Sequence, residues 1–341
     1  MKILVTGGAG FIGSNFIRHM ASALPGYEAV NLDKLTYAGN LENLKGMEDA
    51  PYYTFVKGDI CDRELIESLD FDGIINLAAE SHVDRSIMDS YPFLQNNVVG
   101  TQNLLETTRK RGCRMLHVST DEVYGSIAEG LFTEESPLRP NSPYAASKAS
   151  ADLLVRAYHE TYGLDVVVTR CSNNYGPYQF PEKLIPLVIS HALEGKPIPV
   201  YGDGGNVRDW IHVKDHCRAV AAVFLKGRPG EVYNIGGRNE RRNIDIIRQL
   251  LAKAAEKTGS DGGEMMKLIT FVKDRPGHDR RYAIDPSRIE SELGWKAETG
   301  FDDGLADTVE WYVANRSWWE NIISGEYMKY YRVQYGERMT L

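Results

Sequence analysis

Lys2-Ile3-Leu4-Val5-Thr6-Gly7-Gly8-Ala9-Gly10-Phe11-Ile12-Gly13 is the stretch whose reading decides the fold. Lys2 to Thr6 reads as a short buried strand, and a helical pattern runs from about Ser14 to Ala23. Between them Gly7, Gly10 and Gly13 satisfy G-x-x-G-x-x-G, while Gly8, Gly10 and Gly13 satisfy G-x-G-x-x-G. Either spacing gives a tight turn, close backbone approach to a pyrophosphate and a helix N-terminus to hold its charge. A second strand, Glu28 to Leu32, ends in Asp33, about twenty residues past the last glycine. An acid there grips a ribose 2′-hydroxyl and repels a 2′-phosphate, so NAD is expected rather than NADP.

Strand-like runs recur at Tyr52 to Val56, Gly73 to Leu77, Met115 to Val118 and Asp165 to Thr169, with helical patterns between them. One long helix is expected over Tyr91 to Arg111, with Asn97 in its middle bonded to neighbouring backbone; another runs to about Tyr162. This alternation is the signature of an α/β fold, a doubly wound parallel sheet of Rossmann type. From about Arg170 the pattern loosens. Asn173 to Pro177 reads as a polar turn, and Asn243 opens a helix of about a dozen residues, with N-capping and ligand contact weighing equally for its side chain. A final amphipathic helix is expected from Leu305 to Trp319. The organisation expected is an NAD-binding unit over residues 1–170, to which later segments return, and a smaller α/β substrate-binding unit over 171–341.

Chemistry concentrates at two places. Ser119-Thr120-Asp121-Glu122 follows the Met115 strand, at the carboxyl edge where open parallel sheets bind ligands. Ser142 and Pro143 suit the N-cap and first turn of a helix that carries Tyr144 and Lys148 four residues apart, on one face. A neighbouring cation favours phenolate, so the Tyr144 pKa is expected to fall from about 10. Two adjacent carboxyls can serve as acid and base at one pH when their environments split their pKa values.

Composition narrows the partners. The 341 residues are 43% hydrophobic and 25% charged, as in a soluble globular protein, and are long enough for two units. A net charge of -8 disfavours a nucleic-acid backbone or an anionic membrane as main partner, although basic residues such as Lys183, Arg208 and Arg275 can still group into a diphosphate pocket. No apolar run is long enough to span a bilayer. Cys61, Cys113, Cys171 and Cys217 form no metal-ligand spacing and read as thiols of a reducing compartment. With no secretory pattern at the N-terminus, a cytoplasmic location and no metal are expected.

The fingerprint, the Tyr144–Lys148 pair and the threonine before the acids together resemble the extended short-chain dehydrogenase/reductase superfamily, over almost the whole chain. Many members act on nucleotide-activated sugars. The more specific strings are Leu77-Ala78-Ala79-Glu80-Ser81-His82-Val83-Asp84-Arg85-Ser86, Ser119 to Gly125, Asn173-Asn174-Tyr175-Gly176-Pro177, Arg208-Asp209-Trp210 and Arg275-Pro276-Gly277-His278-Asp279. They are similar to the branch that dehydrates such sugars, and imply conversion of dTDP-glucose to dTDP-4-keto-6-deoxyglucose on the way to rhamnose and other deoxysugars.

That resemblance implies the roles. Tyr144 is the base at the sugar 4-hydroxyl, Lys148 lowers its pKa and holds the nicotinamide ribose, and Thr120 bonds the 4-oxygen. Glu122 removes the C5 proton, and Asp121 protonates the departing 6-hydroxyl. Gly7, Gly10, Phe11, Ile12, Gly13, Asp33, Lys34, Leu35, Thr36, Asp59, Ile60, Leu77, Ala78, Ala79, Ser81, Asn96 and Asn174 would join Tyr144 and Lys148 around NAD. Glu80, Asn173, Lys183, Leu184, Pro199, Val200, Tyr201, Arg208, Asn243, Arg275 and His278 would line the nucleotide-sugar site with Thr120. Local roles compete: Asp59 as cap of the helix near Arg63, Asn173 and Asn174 as turn residues, His82 as structural rather than catalytic. The resemblance also implies a homodimer joined by the helices from Tyr91 and Tyr144. A preference for thymidine over uridine rests on it alone. Rival readings are a 4-epimerase or decarboxylase of the same fold, or a non-catalytic NAD sensor.

Overall fold

The computed structural model describes residues 1–323 together with Tyr330, Tyr331 and Gln334, so the end of the unit expected over 171–341 lies outside the described residues. The chain runs β1 (Lys2–Thr6), α1 (Phe11–Ala23), β2 (Glu28–Asp33), β3 (Tyr53–Lys57), α2 (Arg63–Ser68), β4 (Gly73–Asn76), α3 (Val83–Met88), α4 (Tyr91–Phe93), α5 (Thr101–Arg111), β5 (Arg114–Thr120), α6 (Pro143–Tyr162) and β6 (Val166–Cys171). It continues through β7 (Asn173–Tyr175), α7 (Leu184–Glu194), β8 (Ile198–Tyr201), β9 (Val207–His212), α8 (Val213–Lys226), β10 (Val232–Ile235), β11 (Glu240–Arg242), α9 (Asn243–Thr258), α10 (Gly262–Met266), β12 (Ile269–Val272), α11 (Ser287–Leu293), α12 (Phe301–Ala314) and α13 (Arg316–Ile322).

Apolar runs such as Ile3-Leu4-Val5 and Val166-Val167-Val168 are buried throughout, which suits strands covered on both faces. They lie in a seven-stranded sheet of order β10-β6-β5-β4-β1-β2-β3, parallel in every pairing. Strand order runs outward in both directions from β1 and β4, and that switch point opens a crevice at the carboxyl edge. One core cluster packs Phe16 and Ile17 of α1 and Val220 of α8 against the sheet; another packs Leu104 and Leu105 of α5 and Val155 of α6 against it. A third, with Val188, Trp210, Leu250, Leu305 and Trp319, holds together the elements beyond the sheet. There β9 lies between β7 and β11, and β8 pairs with β12.

Local sequence sets both helices that face the crevice. Gly10 is the N-cap of α1 and offers no side-chain cap, so its first amides stay available to a ligand. Gly13 is where α1 crosses the turn: a Cβ there would overlap the Gly7 carbonyl oxygen and lie 2.6 Å from Gly8 Cα. Ser142 caps α6 by accepting from the Ala145 amide at 3.1 Å, Pro143 opens the helix, and Gly163 closes it in the left-handed region at φ 66.

The structure departs from the sequence reading in several elements. The helix expected over Tyr91 to Arg111 is continuous but wound as a π-helix over Leu94–Gly100. Asn97, inside it, does not bond neighbouring backbone. It accepts from the Glu80 amide and donates to the Glu80 carbonyl, both at 2.9 Å, and reaches Ser147 Oγ at 2.9 Å. Asn173 to Tyr175 is a strand paired with β9 rather than a turn. Val232–Ile235 supplies the seventh strand of the main sheet, beside β6. The helix expected over Leu305 to Trp319 is two helices, broken at Asn315, whose side chain donates back to the Trp311 carbonyl at 2.8 Å.

Gly13→Ala is expected to lower unfolding stability by about 1–3 kcal/mol, because the obstacle is backbone that no rotamer change relieves. Denaturant unfolding reads this directly, and an unchanged midpoint contradicts it.

Candidate active site

The crevice holds two hollows that share Ser81, Glu122, Asn173, Glu182 and Lys183, so they form one continuous cleft. The first lies over the glycine turn. All the residues expected around a dinucleotide line it except Leu35. Leu35 sits at φ 56 and contributes its amide, which donates to Asp33 Oδ1 at 2.8 Å. The second hollow gathers Leu184, Pro199, Val200, Tyr201, Arg208, Asn243, Arg275 and His278. Glu80 and Thr120 face the first.

The first hollow fits a dinucleotide. A Cβ on Gly7 would come 2.7 Å from Ala78 Cα, so the turn and the end of β4 close up only around glycine. Asp33 accepts from the Ala9 amide at 2.9 Å and is 8% exposed, fixed at the end of β2. Burial raises its pKa, partly offset by the Leu35 and Ala9 amides. Asp59 does not cap α2; Asp62 does, accepting from Leu65 N at 3.0 Å, while Asp59 pairs with Lys34 at 2.6 Å. Tyr37 and Phe180, which sequence reasoning missed, pack edge to face at 5.4 Å. Arg85 lies over Tyr37 at 3.8 Å and over Tyr330 at 4.0 Å, and bonds Glu182 at 3.1 Å. Only the neighbouring Glu182-Lys183 charges hinted at that cluster in the sequence.

Thr120, at the end of β5, accepts from the Glu122 amide at 3.3 Å and donates to Asp121 Oδ1 at 3.4 Å. The other Asp121 oxygen is buried without a hydrogen-bond partner. Burial drives the Asp121 pKa well up, and the Glu122 charge drives it further. Glu122 is also raised by burial, but Arg275, Arg208 and Lys183 pull it back. The adjacent carboxyls are therefore split, with Asp121 the one held more firmly in its protonated form.

Those cations are themselves held firmly. Lys183 donates to the Ser81 carbonyl at 2.8 Å, Arg208 to the Asp279 carbonyl at 2.9 Å, and Arg275 lies 3.5 Å from Asp84. The Arg275 Nε and Asn243 Oδ1 atoms are buried without partners, and both belong to the second hollow. Asn243 is the first residue of α9 and Arg242 the cap, so the capping reading of Asn243 fails. Tyr282, also unforeseen, lies 2.7 Å from Asp279 and 3.5 Å from Glu122.

One expectation is overturned. The Tyr144 phenol is pushed well above its ordinary pKa, chiefly by burial and then by the Glu122 charge, with a Thr120 hydrogen bond opposing. Lys148 is not among the groups that act most strongly on it. Its ammonium donates to the Val118 carbonyl at 2.7 Å, and burial brings its own pKa down to about 8. The i,i+4 spacing placed both groups on one helix face but did not specify where the ammonium points.

Fold and cleft together define a dinucleotide-dependent sugar-nucleotide enzyme of the extended short-chain dehydrogenase/reductase superfamily. Residues 4–308 match the family model for GDP-mannose 4,6 dehydratase. A probable dTDP-glucose 4,6-dehydratase of Sinorhizobium fredii is 54% identical, over 96% of this chain and 98% of its own. The crystal structure of a Streptomyces venezuelae dTDP-glucose 4,6-dehydratase with NAD and dTDP bound is 52% identical, covers 94% of this chain and 100% of its own, and superposes with a TM-score of 0.89. A Bacillus cereus UDP-glucuronic acid 4-epimerase, in complex with UDP-glucuronic acid and NAD, is 29% identical over 92% of this chain and 99% of its own, with a TM-score of 0.83. The chain belongs to the dTDP-glucose 4,6-dehydratase family.

Because Arg275 is the largest of the charges that lower the Glu122 pKa, Arg275→Met is expected to move the acidic limb of the kcat–pH profile to higher pH. Turnover at saturating substrate across pH checks this; a limb that stays in place removes Glu122 as the titrating base.

Proposed function

We propose that this chain converts dTDP-glucose to dTDP-4-keto-6-deoxyglucose and water, as a carbon–oxygen lyase using NAD. The observation that carries this is the split pair of carboxyls beside a tyrosine, Asp121 buried and Glu122 half-buried, since epimerisation at C4 does not call for an acid and a base at C5 and C6.

The residues at the first hollow would hold the cofactor, which would take the C4 hydride and give it back at C6 and whose positive ring charge would favour phenolate. Tyr144 takes the proton of the sugar 4-hydroxyl, and Thr120 bonds the same oxygen. Oxidation at C4 acidifies the C5 proton, which Glu122 removes. Asp121, kept protonated by its surroundings, delivers its proton to the 6-hydroxyl as water leaves; Glu122 then returns its proton to C5 as C6 gains the hydride first removed from C4, and the proton held by Tyr144 offsets the one Asp121 gave up. Lys183, Arg208 and Arg275 hold the diphosphate, with the arginines presenting forked donors. The elements beyond 170 thus chiefly serve the nucleotide sugar, and residues 1–170 chiefly the dinucleotide.

The active form we propose is a homodimer in the cytoplasm. Supporting the dimer, Tyr91 is 64%, Leu94 50% and Leu153 58% exposed, on the segments from Tyr91 and Tyr144. Among the described residues no helix is long and apolar enough to cross a membrane. Leu94→Glu with Leu153→Glu is expected to yield monomers by light scattering after size-exclusion chromatography; an unchanged mass places the interface elsewhere.

Asp121→Asn and Glu122→Gln test the chemistry. Each is expected to slow product formation by about 10²–10⁴-fold while C4 oxidation persists, seen as a reduced cofactor that accumulates on mixing with dTDP-glucose. Unimpaired product formation in both variants would shift the reading to an epimerase.

A further inference from the structure

Behind Lys148, away from the cleft, lies a polar cluster with no part in the scheme above. His117 of β5 is fully buried, and its Nε2 lies 3.4 Å from Lys148 Nζ and 3.6 Å from Asp152 Oδ1. Asp152 stands four residues beyond Lys148 on α6, with its side chain 1% exposed. Its Oδ2 accepts from Arg170 Nε at 2.9 Å, whereas Oδ1 has no conventional hydrogen-bond partner.

Hydrogen-bond accounting fixes the imidazole. The Ala78 amide donates to Thr6 Oγ1 at 3.2 Å, and the Thr6 hydroxyl donates to Asn76 Oδ1 at 2.7 Å. With its oxygen on that hydroxyl, Asn76 turns its amide nitrogen to Thr101 Oγ1, at 3.3 Å, and to His117 Nδ1, at 3.1 Å. Nδ1 accepts, so the neutral ring carries its hydrogen on Nε2, and Asp152 Oδ1 is the acceptor it faces. Burial, with Lys148 and Arg170 nearby, keeps this ring from charging. A ring of this tautomer cannot accept from Lys148. The ammonium hence sits against an N–H dipole, offset by the Val118 carbonyl that it donates to at 2.7 Å and by the carboxylate beyond the ring.

The charges around Lys148 are few. Its own helix supplies Asp152 and Tyr144, β5 supplies His117, β6 supplies Cys171 and Arg170, and the turn after β5 supplies Asp121 and Glu122. Asp152 and Cys171 favour its charged form against burial, and the Cys171 thiol, pushed up to about 12, is uncharged at working pH.

We propose that Asp152, acting across His117, is a positioning residue that keeps the Lys148 ammonium charged and aimed into the cleft. This rests on the proposed reaction and on Lys148 acting as an ammonium at the nicotinamide ribose, as the resemblance implies. The test is the kcat–pH profile of the NAD-loaded enzyme with dTDP-glucose. Asp152→Asn is expected to move the alkaline limb down by about 1 unit, and Asp152→Glu to leave it near wild type. Should Asp152→Asn strand Arg170 and fail to fold, Asp152→Asn with Arg170→Met removes that cation, which is not among the groups perturbing Lys148. The same downward shift is expected. A limb fixed in both asparagine variants, with kcat reduced alike at every pH, overturns the proposal and leaves Asp152 a merely structural residue. Lys148→Met separates the two ways of failing. Wild-type turnover in it removes the catalytic reading and the proposal with it; an inactive Lys148→Met with an unmoved limb removes the Asp152 pairing alone.

Discussion

Two carboxyls on consecutive residues, one buried and the other half-buried, are the constraint on which the rest of the cleft depends. Two unit charges about 4 Å apart repel by about 4 kcal/mol at an effective dielectric near 20, several times thermal energy. Asp121 and Glu122 cannot both stay ionised cheaply under such conditions. The second hollow settles which one yields, because its arginines and lysine pull harder on Glu122. The cations that line the second hollow are thus the ones that split the two carboxyls, so a change to any of them changes that split as well.

The sheet makes this arrangement possible. Thr120, Asp121 and Glu122 leave the carboxyl end of β5, next but one to β1, so the carboxyls lie alongside the glycine turn. The elements after β6 then supply the opposing wall, with their own core built on Trp210, Leu250 and Trp319. A cleft made this way has one rim set by parallel strands and the other by a separately packed unit, which is how charges far apart in sequence, such as Lys183 and Arg275, meet at Glu122.

Much of this was legible in the chain because it depends on local rules. The glycine spacing, Asp33 and the Ser142-Pro143 helix start depend on neighbours a few residues away, and the structure realises each of them. The residues that the resemblance names line one hollow or the other, Leu35 excepted, whereas Tyr37, Phe180 and Tyr282 line them unforeseen. What escaped depends on distant partners. Nothing near Asn97 announces that it will grip the Glu80 backbone, and nothing in Val232–Ile235 says it will return to the sheet. The Tyr144 expectation failed for a related reason: spacing along a helix gives proximity, whereas the pKa follows from burial and from carboxyls brought in by another element.

The Asn97 clamp carries a mechanical implication. It rivets the turn that bears Glu80 to the helix that bears Ser147 and Lys148, so one wall of the crevice behaves as a single slab. The π-wound segment that carries Asn97 thus works as a fastening between the two, its extra residue per turn setting the angle of the rivet.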